Sequence, residues 1–346
     1  MNVPEGLESS LEKAFRFMEV SRNHGGLWAD FLTLAGESIY WVSGYTGYSL
    51  CQDGDGPGLG LLEVASLRIL DHQGDDGGWG YGPGIPADAD STSWCILFLS
   101  KLGMGEGIER GVRFLLEHQN PDGGFRTYAS PVYVGRYMGL DGSASFEGWQ
   151  TSQLCVTGVA TRALIDAGTS EGVADALNFI KGSQMGEGYW NPYWWDDALY
   201  STFSCMWALK AGDGGDEALE KACDWIAETQ LANGGWNDGT TEEGVAFSTA
   251  LALKGLMIGS RSTDLDRIRR GVDWLLKHQL EDGSWRPYYL LRIPYPAMKE
   301  PWRYHAWVRG GKAIGAVIKD HNRLFTTATA YSSLAEYYRY CRGELS

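Results

Sequence analysis

Gln73-Gly-Asp-Asp-Gly-Gly-Trp79, followed after a short Pro- and Gly-rich stretch by Asp88-Ala-Asp-Ser-Thr-Ser93, contains the two patterns that organise this sequence. The first pattern is a Gln, a tight turn of Gly and Asp, and an aromatic residue six positions after the Gln. The second is a pair of Asp residues, Asp88 and Asp90, that opens an apolar segment. The first pattern recurs along the chain and predicts the fold, whereas the second holds the candidate chemistry.

The Gln-to-aromatic spacing recurs at intervals of 46 to 65 residues, which suits a repeating unit of two helices. A sixth copy keeps the spacing and the glycines but has Arg22 in place of Gln. Gln side chains at the ends of helices can satisfy backbone groups that helix termini leave open. The copies are Arg22–Trp28, Gln73–Trp79, Gln119–Phe125, Gln184–Trp190, Gln230–Trp236 and Gln279–Trp285.

Each copy lies between two segments with helical character. The segments before the motif carry charges on one face, as outer helices do, and are Leu11–Val20, Leu61–Leu70, Ile108–Leu116, Val173–Ile180, Leu219–Ile226 and Ile268–Leu276. The segments after it are apolar nearly all round, as enclosed helices are, and are Ser38–Leu50, Thr92–Leu102, Ser152–Leu164, Tyr200–Leu209, Ala246–Met257 and Thr327–Tyr340. The sequence therefore predicts an all-α protein, an (α/α)6 toroid of six helical hairpins with inner and outer rings, as one domain over residues 1–346.

Composition excludes several classes of function. A net charge of −15 argues against nucleic-acid binding, because no basic stripe is present to neutralise phosphates. We expect neither a signal peptide nor a transmembrane segment, since no long apolar run occurs. The six Cys residues are scattered, without a C-x-x-C pair, which favours reduced thiols in a cytoplasmic protein. We expect no cofactor and no metal site.

The repeated Gln-x-x-Asp-Gly-Gly/Ser-Trp motif resembles the QW repeats of squalene–hopene cyclases and related class II terpene cyclases. The resemblance covers almost the whole chain and implies a single toroid like the β domain of those enzymes. Asp88-Ala-Asp90-Ser91-Thr92 resembles their Asp-x-Asp-Asp-Thr motif, which implies that Asp90 is the proton donor and that Asp88 tunes it. Ser91 departs from the motif, because it replaces the third Asp and carries no charge.

The chemistry accounts for a pair of carboxylates. An acid that protonates an alkene must be neutral in the resting enzyme, and two crowded carboxyl groups share a proton because both cannot ionise easily. The carbocations that follow need a dry cavity whose aromatic faces stabilise positive charge. We therefore predict a small, hydrophobic, isoprenoid-like substrate. Candidate substrate-binding residues on the inner segments and long loops are Trp41, Tyr45, Trp94, Trp149, Trp194, Trp195, Asp197, Phe203, Trp207, Tyr289, Trp302, His305 and Tyr331.

Other interpretations of the same residues stay open. Asp88, Asp90 and Asp197 are suited to helix caps, and single aromatic rings can simply fill a core. The toroid can also carry a glycan-active enzyme, or bind a hydrophobic ligand or a protein without catalysis. Three long aromatic loops can close a cavity, as can a partner protein or a second copy of the chain. The loops are Arg126–Gly148, Tyr189–Asp197 and Arg286–Arg323.

Overall fold

The twelve expected helices form two concentric rings in the computed structural model, which describes residues 3–51, 58–130, 132–140, 144–237, 239 and 241–344. The outer ring consists of α1 (Leu7–Val20), α3 (Leu59–Asp71), α5 (Ile108–Glu117), α8 (Val173–Gly182), α10 (Asp216–Glu228) and α12 (Leu265–His278). The inner ring consists of α2 (Tyr40–Leu50), α4 (Ala89–Lys101), α7 (Leu154–Asp166), α9 (Leu199–Ala211), α11 (Ala246–Gly259) and α13 (Leu324–Arg342). A short helix, α6 (Val132–Tyr137), lies in the loop after the third motif. The predicted all-α toroid is confirmed.

Consecutive inner helices pack on one another, and α13 packs on α2, so the inner ring closes on itself. Each outer helix packs on an inner neighbour; α1, for example, contacts α13. Nearly every residue of the inner helices is buried, whereas the outer helices bury only one stripe. Glycine permits the closest approaches: a Cβ added at Gly158 of α7 would lie 2.6 Å from the Ser204 carbonyl carbon of α9.

The aromatic residue of each motif forms hydrogen bonds that join the two helices of its unit. A hydroxyl near the start of every inner helix accepts the backbone N–H of the motif's aromatic residue, at 2.8 to 3.3 Å. The six pairs are Ser43 with Trp28, Thr92 with Trp79, Thr157 with Phe125, Thr202 with Trp190, Thr249 with Trp236 and Thr327 with Trp285. Each motif Trp also donates its indole N–H to a carbonyl ten residues earlier in the outer helix.

The motif Gln side chains link neighbouring units. Each donates to the carbonyl four residues later in its own turn and to a second carbonyl at the start of the next outer helix. Gln279 makes the second of these bonds with Ser10 of α1, at 2.9 Å, and so ties the last unit to the first. The Gln side chains therefore cross-link the outer ring, rather than satisfying the open end of their own helix.

All short strands lie between an outer helix and the inner helix that follows it, so they gather at the end of the toroid where the inner helices begin. Two antiparallel pairs are formed by β1 (Asp30–Thr33) with β2 (Gly36–Ser38), and by β3 (Trp79–Gly80) with β4 (Ala87–Asp88). The last long loop contributes β5 (Tyr289–Arg292), β6 (Val308–Arg309) and β7 (Ala316–Lys319), in which β7 pairs antiparallel with β5 and parallel with β6. None of the described helices is both long and apolar enough to cross a membrane.

Candidate active site

Asp88 is the N-cap of the inner helix α4. Its Oδ1 accepts the Ser91 backbone N–H at 2.8 Å, and its Oδ2 accepts the Ser91 hydroxyl at 2.7 Å. Burial raises the pKa of Asp88 to about 6, and the hydrogen bonds from Ser91 hold it from rising further. Near neutral pH Asp88 is therefore mostly ionised, and Ser91 is the residue that stabilises its charge.

Asp90 is the second residue of the same helix and has a different environment. Burial, and then the charge of Asp88, raise the pKa of Asp90 well above its usual range. The indole N–H of Trp41 acts to lower the pKa of Asp90, although Trp41 Nε1 and Asp90 Oδ1 are not in hydrogen-bond geometry. Within the described part of the chain, Asp90 Oδ1 is buried without a hydrogen-bond partner. Asp90 is thus a carboxylic acid that keeps its proton and has one buried oxygen without a partner.

Asp90 faces an apolar cavity at the end of the toroid where the inner helices begin. The cavity is partly open, and together with the solvent space at its opening it comprises about 710 Å³ free of atoms. Its walls are mainly aromatic and aliphatic, and no Lys, Arg or His is among the described residues that line it. The lining residues are Thr33, Ala35, Trp41, Tyr81, Ile85, Asp88, Asp90, Ser91, Thr127, Tyr128, Val134, Met138, Trp149, Trp194, Trp195, Leu291 and Ile293.

Six of the predicted site residues meet at this cavity: Asp88, Asp90, Trp41, Trp149, Trp194 and Trp195. The four indoles come from three parts of the chain and contact one another in pairs. Trp41 and Trp195 have ring centroids 6.0 Å apart, and Trp149 and Trp194 have centroids 5.6 Å apart. Trp194 is fixed by its indole N–H, which donates to Thr127 at 2.7 Å and to Gln153 at 2.9 Å.

Five other predicted aromatic residues lie outside the cavity lining and pack within the inner ring. Tyr45 stacks on Phe325 and hydrogen-bonds Thr329, and Trp94 donates to the hydroxyl of Tyr200. Trp207 is half-buried beneath the guanidinium of Arg162, which lies 4.6 Å from the ring. The five residues are Tyr45, Trp94, Phe203, Trp207 and Tyr331.

The remaining predicted residues also lie outside the cavity lining. Asp197 Oδ1 accepts the Leu199 N–H at 2.8 Å at the start of α9, so its cap interpretation fits its contacts. Tyr289 lies beneath the Lys319 ammonium, Trp302 is half-buried in an open groove that Asp197 also lines, and His305 is exposed.

Sequence reasoning did not select several residues of the cavity wall. Tyr81 lies between the motif Trp79 and Asp88, a position that could have identified it. Tyr128 lies in the long loop after the third motif, and burial raises its pKa well above the usual range. Leu291 and Ile293 lie in the last long loop. The loops were predicted to shape the cavity, but they lack a regular periodicity that would indicate which side chains face inward.

A second pair of buried carboxylates was also missed. Asp30 Oδ2 accepts the backbone N–H groups of Leu324 and Phe325 at the start of α13, and Asp320 accepts that of Thr326. Burial raises the pKa of both groups. Because neither lines the cavity and both bind backbone amides, their role is to tie the first hairpin and the last loop to α13.

Comparisons with known proteins agree with the fold. Residues 152–307 match the squalene-hopene cyclase C-terminal domain, and residues 63–189 match the prenyltransferase alpha-alpha toroid domain. The type II terpene cyclase MstE from Scytonema superposes with a TM-score of 0.88 at 29% identity, over 97% of this chain and 99% of that one. A protein from Actinoplanes superposes with a TM-score of 0.87 at 30% identity, over 95% of this chain and 98% of that one. The family resemblance predicted from the QW repeats is confirmed.

Curated relatives include larger proteins. The drimenyl diphosphate synthase of Streptomyces showdoensis is 27% identical over 238 residues, which is 65% of this chain but 40% of that protein. The squalene–hopene cyclase of Bradyrhizobium diazoefficiens is 28% identical over 60% of this chain and 36% of that protein. This chain therefore spans about two fifths of the length of these curated relatives, and nearly the full length of the structural neighbours.

Proposed function

The chain is a class II terpene cyclase-like protein, and from this premise we propose that Asp90 protonates an alkene of an isoprenoid or other polyene and so starts its cyclisation. One observation supports this most directly. The buried Asp90 Oδ1 has no hydrogen-bond partner in the described part of the chain. The carboxyl group of Asp90 has a raised pKa and faces an aromatic cavity. A helix cap would instead have an oxygen occupied by a backbone amide, as Oδ1 of Asp88 is.

The first step transfers a proton. The π electrons of the alkene form a C–H bond with the Asp90 proton, the carboxyl O–H bond breaks, and its electron pair remains on the Asp90 carboxylate. The carbon that loses the π bond becomes a cation, which further alkenes of the same chain can attack. A final C–H bond then breaks to give a neutral product and release one proton, so the reaction is an isomerisation.

Each part of the site has a role in this step. Asp88, ionised and held by Ser91, keeps the proton on Asp90 at neutral pH. The faces of Trp41, Trp149 and Trp195 can stabilise the cations, each by about 0.5–2 kcal/mol or more when water is excluded. Leu291 and its neighbours supply apolar wall that positions the folded polyene.

We propose that the chain acts as a single toroid over residues 1–346, and that its own loops complete the cavity without a partner protein. The first hairpin contributes Thr33 and Ala35, the loop after the third motif contributes Val134 and Met138, and the last loop contributes Ile293. The six cysteines are free thiols in the structure, which supports a cytoplasmic location.

The test is conversion of farnesyl, geranylgeranyl and squalene-type polyenes in D2O, followed by mass spectrometry of the products. We expect a cyclic product that carries one deuterium from the first protonation. Asp90→Asn should reduce the rate of cyclisation by about 10²–10⁴-fold, because the variant lacks the general acid. Asp75→Asn removes an exposed carboxylate of the neighbouring turn and is the matched control. Cyclisation that persists in Asp90→Asn, or tight polyene binding by the wild type without any turnover, would contradict the proposal.

A further inference from the structure

The last long loop has the opposite charge to the rest of the molecule. Residues 286–323 hold eight of the 29 Lys and Arg residues but only two of the 44 Asp and Glu residues. Most of these cations are already engaged: Arg309 pairs with Asp196 at 2.8 Å, and Lys299 pairs with Glu147 at 2.9 Å. Lys312 is different, because its exposed side chain makes no ion pair or hydrogen bond with any residue that the structure describes.

Lys312 lies in a turn of residues 310–315, Gly-Gly-Lys-Ala-Ile-Gly, here named the glycine loop. Gly310, Gly311 and Gly315 all have positive φ, at +99°, +89° and +86°, which L side chains rarely adopt. The backbone N–H groups of residues 311–314 donate to no acceptor in the described part of the chain. Successive free amides in a turn form a concave surface that binds anions, and the same turn carries the exposed side chain of Lys312.

The glycine loop adjoins the cavity on two sides. On one side the Lys312 carbonyl accepts the N–H of Leu34, whose neighbours Thr33 and Ala35 line the cavity. On the other side Gly315 donates to the carbonyl of Ile293, which also lines the cavity. The loop therefore bridges two parts of the cavity wall.

Charge is distributed unequally between the cavity and this loop. The described cavity lining contains two carboxyl groups and no cation, so an anionic group inside it would face Asp88 without a counter-ion. We propose that the substrate is an amphiphile whose polyene tail lies in the cavity and whose anionic headgroup, a carboxylate or a phosphate ester, binds the glycine loop through Lys312 and the free amides. This inference rests on the proposed function only in assigning the tail to the same cavity.

The test compares ligands that share one tail. Binding of geranylgeranyl diphosphate, geranylgeranoic acid and neutral geranylgeraniol is measured by quenching of tryptophan fluorescence, with Asp90→Asn as the background so that no turnover occurs. We expect at least one of the two anions to bind about tenfold more tightly than the alcohol at low ionic strength. The preference should decrease as salt is added, because screening weakens an exposed charge interaction. The anion that shows it identifies the headgroup.

Lys312→Gln should remove most of this preference and leave binding of the alcohol unchanged, whereas Lys312→Arg should keep it. Arg286→Gln is the matched control, because Arg286 is an exposed cation of the same loop without a partner in the described part of the chain. Equal binding of all three ligands, or a preference that survives Lys312→Gln, overturns the inference. Asp90-dependent cyclisation of the alcohol without any anion preference would overturn it while leaving the proposed function intact. A preference for an anion that depends on Lys312, without cyclisation of any ligand, would support this inference and contradict the proposed function.

Discussion

Ser91 gives the sharpest test of how the acid is controlled. In the Ser91→Ala variant the hydrogen bond from the hydroxyl to Asp88 Oδ2, 2.7 Å long, is lost, while the backbone N–H bond to Oδ1 remains. A hydrogen bond to a charged group contributes about 1.5–3 kcal/mol, and 1.36 kcal/mol corresponds to a tenfold change in proton affinity. Because the lost bond favours the ionised form, the pKa of Asp88 should rise from about 6 to about 7–8. At pH 7 its ionised fraction should fall from roughly nine tenths to between one tenth and one half.

The assay is the carbon-13 chemical shift of the aspartate carboxyl groups between pH 4 and 9, with Asp88→Asn used to assign the resonance. The inflection that Asp88 imposes on the pH dependence of kcat should move to higher pH by the same amount. Ser93→Ala is the matched control, since Ser93 is buried in the same helix but donates its hydroxyl to the Ala89 carbonyl. Ser91→Thr keeps a hydroxyl group and should restore the pKa of about 6. An unchanged Asp88 pKa in Ser91→Ala, or an equal change in Ser93→Ala, would refute this account of Ser91.

Further predictions concern the neighbour of the acid, Trp41, and the repeated bond between the motif and the inner helix. Trp41→Phe keeps an aromatic ring in the cavity but removes the N–H that favours the Asp90 carboxylate, so the pKa of Asp90 should rise. Because Asp90 is then a weaker acid, kcat should fall about tenfold while KM changes little. An unchanged kcat would contradict this prediction. Thr249→Val leaves the buried N–H of Trp236 without its acceptor and should lower the free energy of unfolding, measured in urea, by about 1–3 kcal/mol. Thr92→Val should lower the free energy of unfolding by the same amount, because the Thr92 hydroxyl accepts the N–H of Trp79 in the unit that carries the acid. A loss of stability in only one of the two variants would show that the two hydrogen bonds are not equivalent.

The sequence by itself determined the architecture. Helical periodicity is a local property, so the charged stripe of Ile108–Glu117 and the all-round apolar surface of Ala246–Gly259 identify an outer and an inner helix without knowledge of their neighbours. The spacing from Gln to the aromatic residue is local as well, and its repetition predicted the joints between units. The two Asp residues were likewise visible as candidate acids.

Only the tertiary structure decided which side chains share the cavity. Trp41 and Trp94 both lie in the first half of an inner helix, yet Trp41 lines the cavity while Trp94 packs in the core. Trp41 is the second residue of α2, whereas Trp94 is the sixth residue of α4 and so lies about one turn farther from the end where the cavity is. The surroundings of the two acids were also visible only in the structure: Asp88 has Ser91 as its donor, and Asp90 Oδ1 has no partner in the described part of the chain. Burial and the charge of the adjacent Asp88 determine that Asp90 keeps its proton, and the burial depends on residues distant in the sequence.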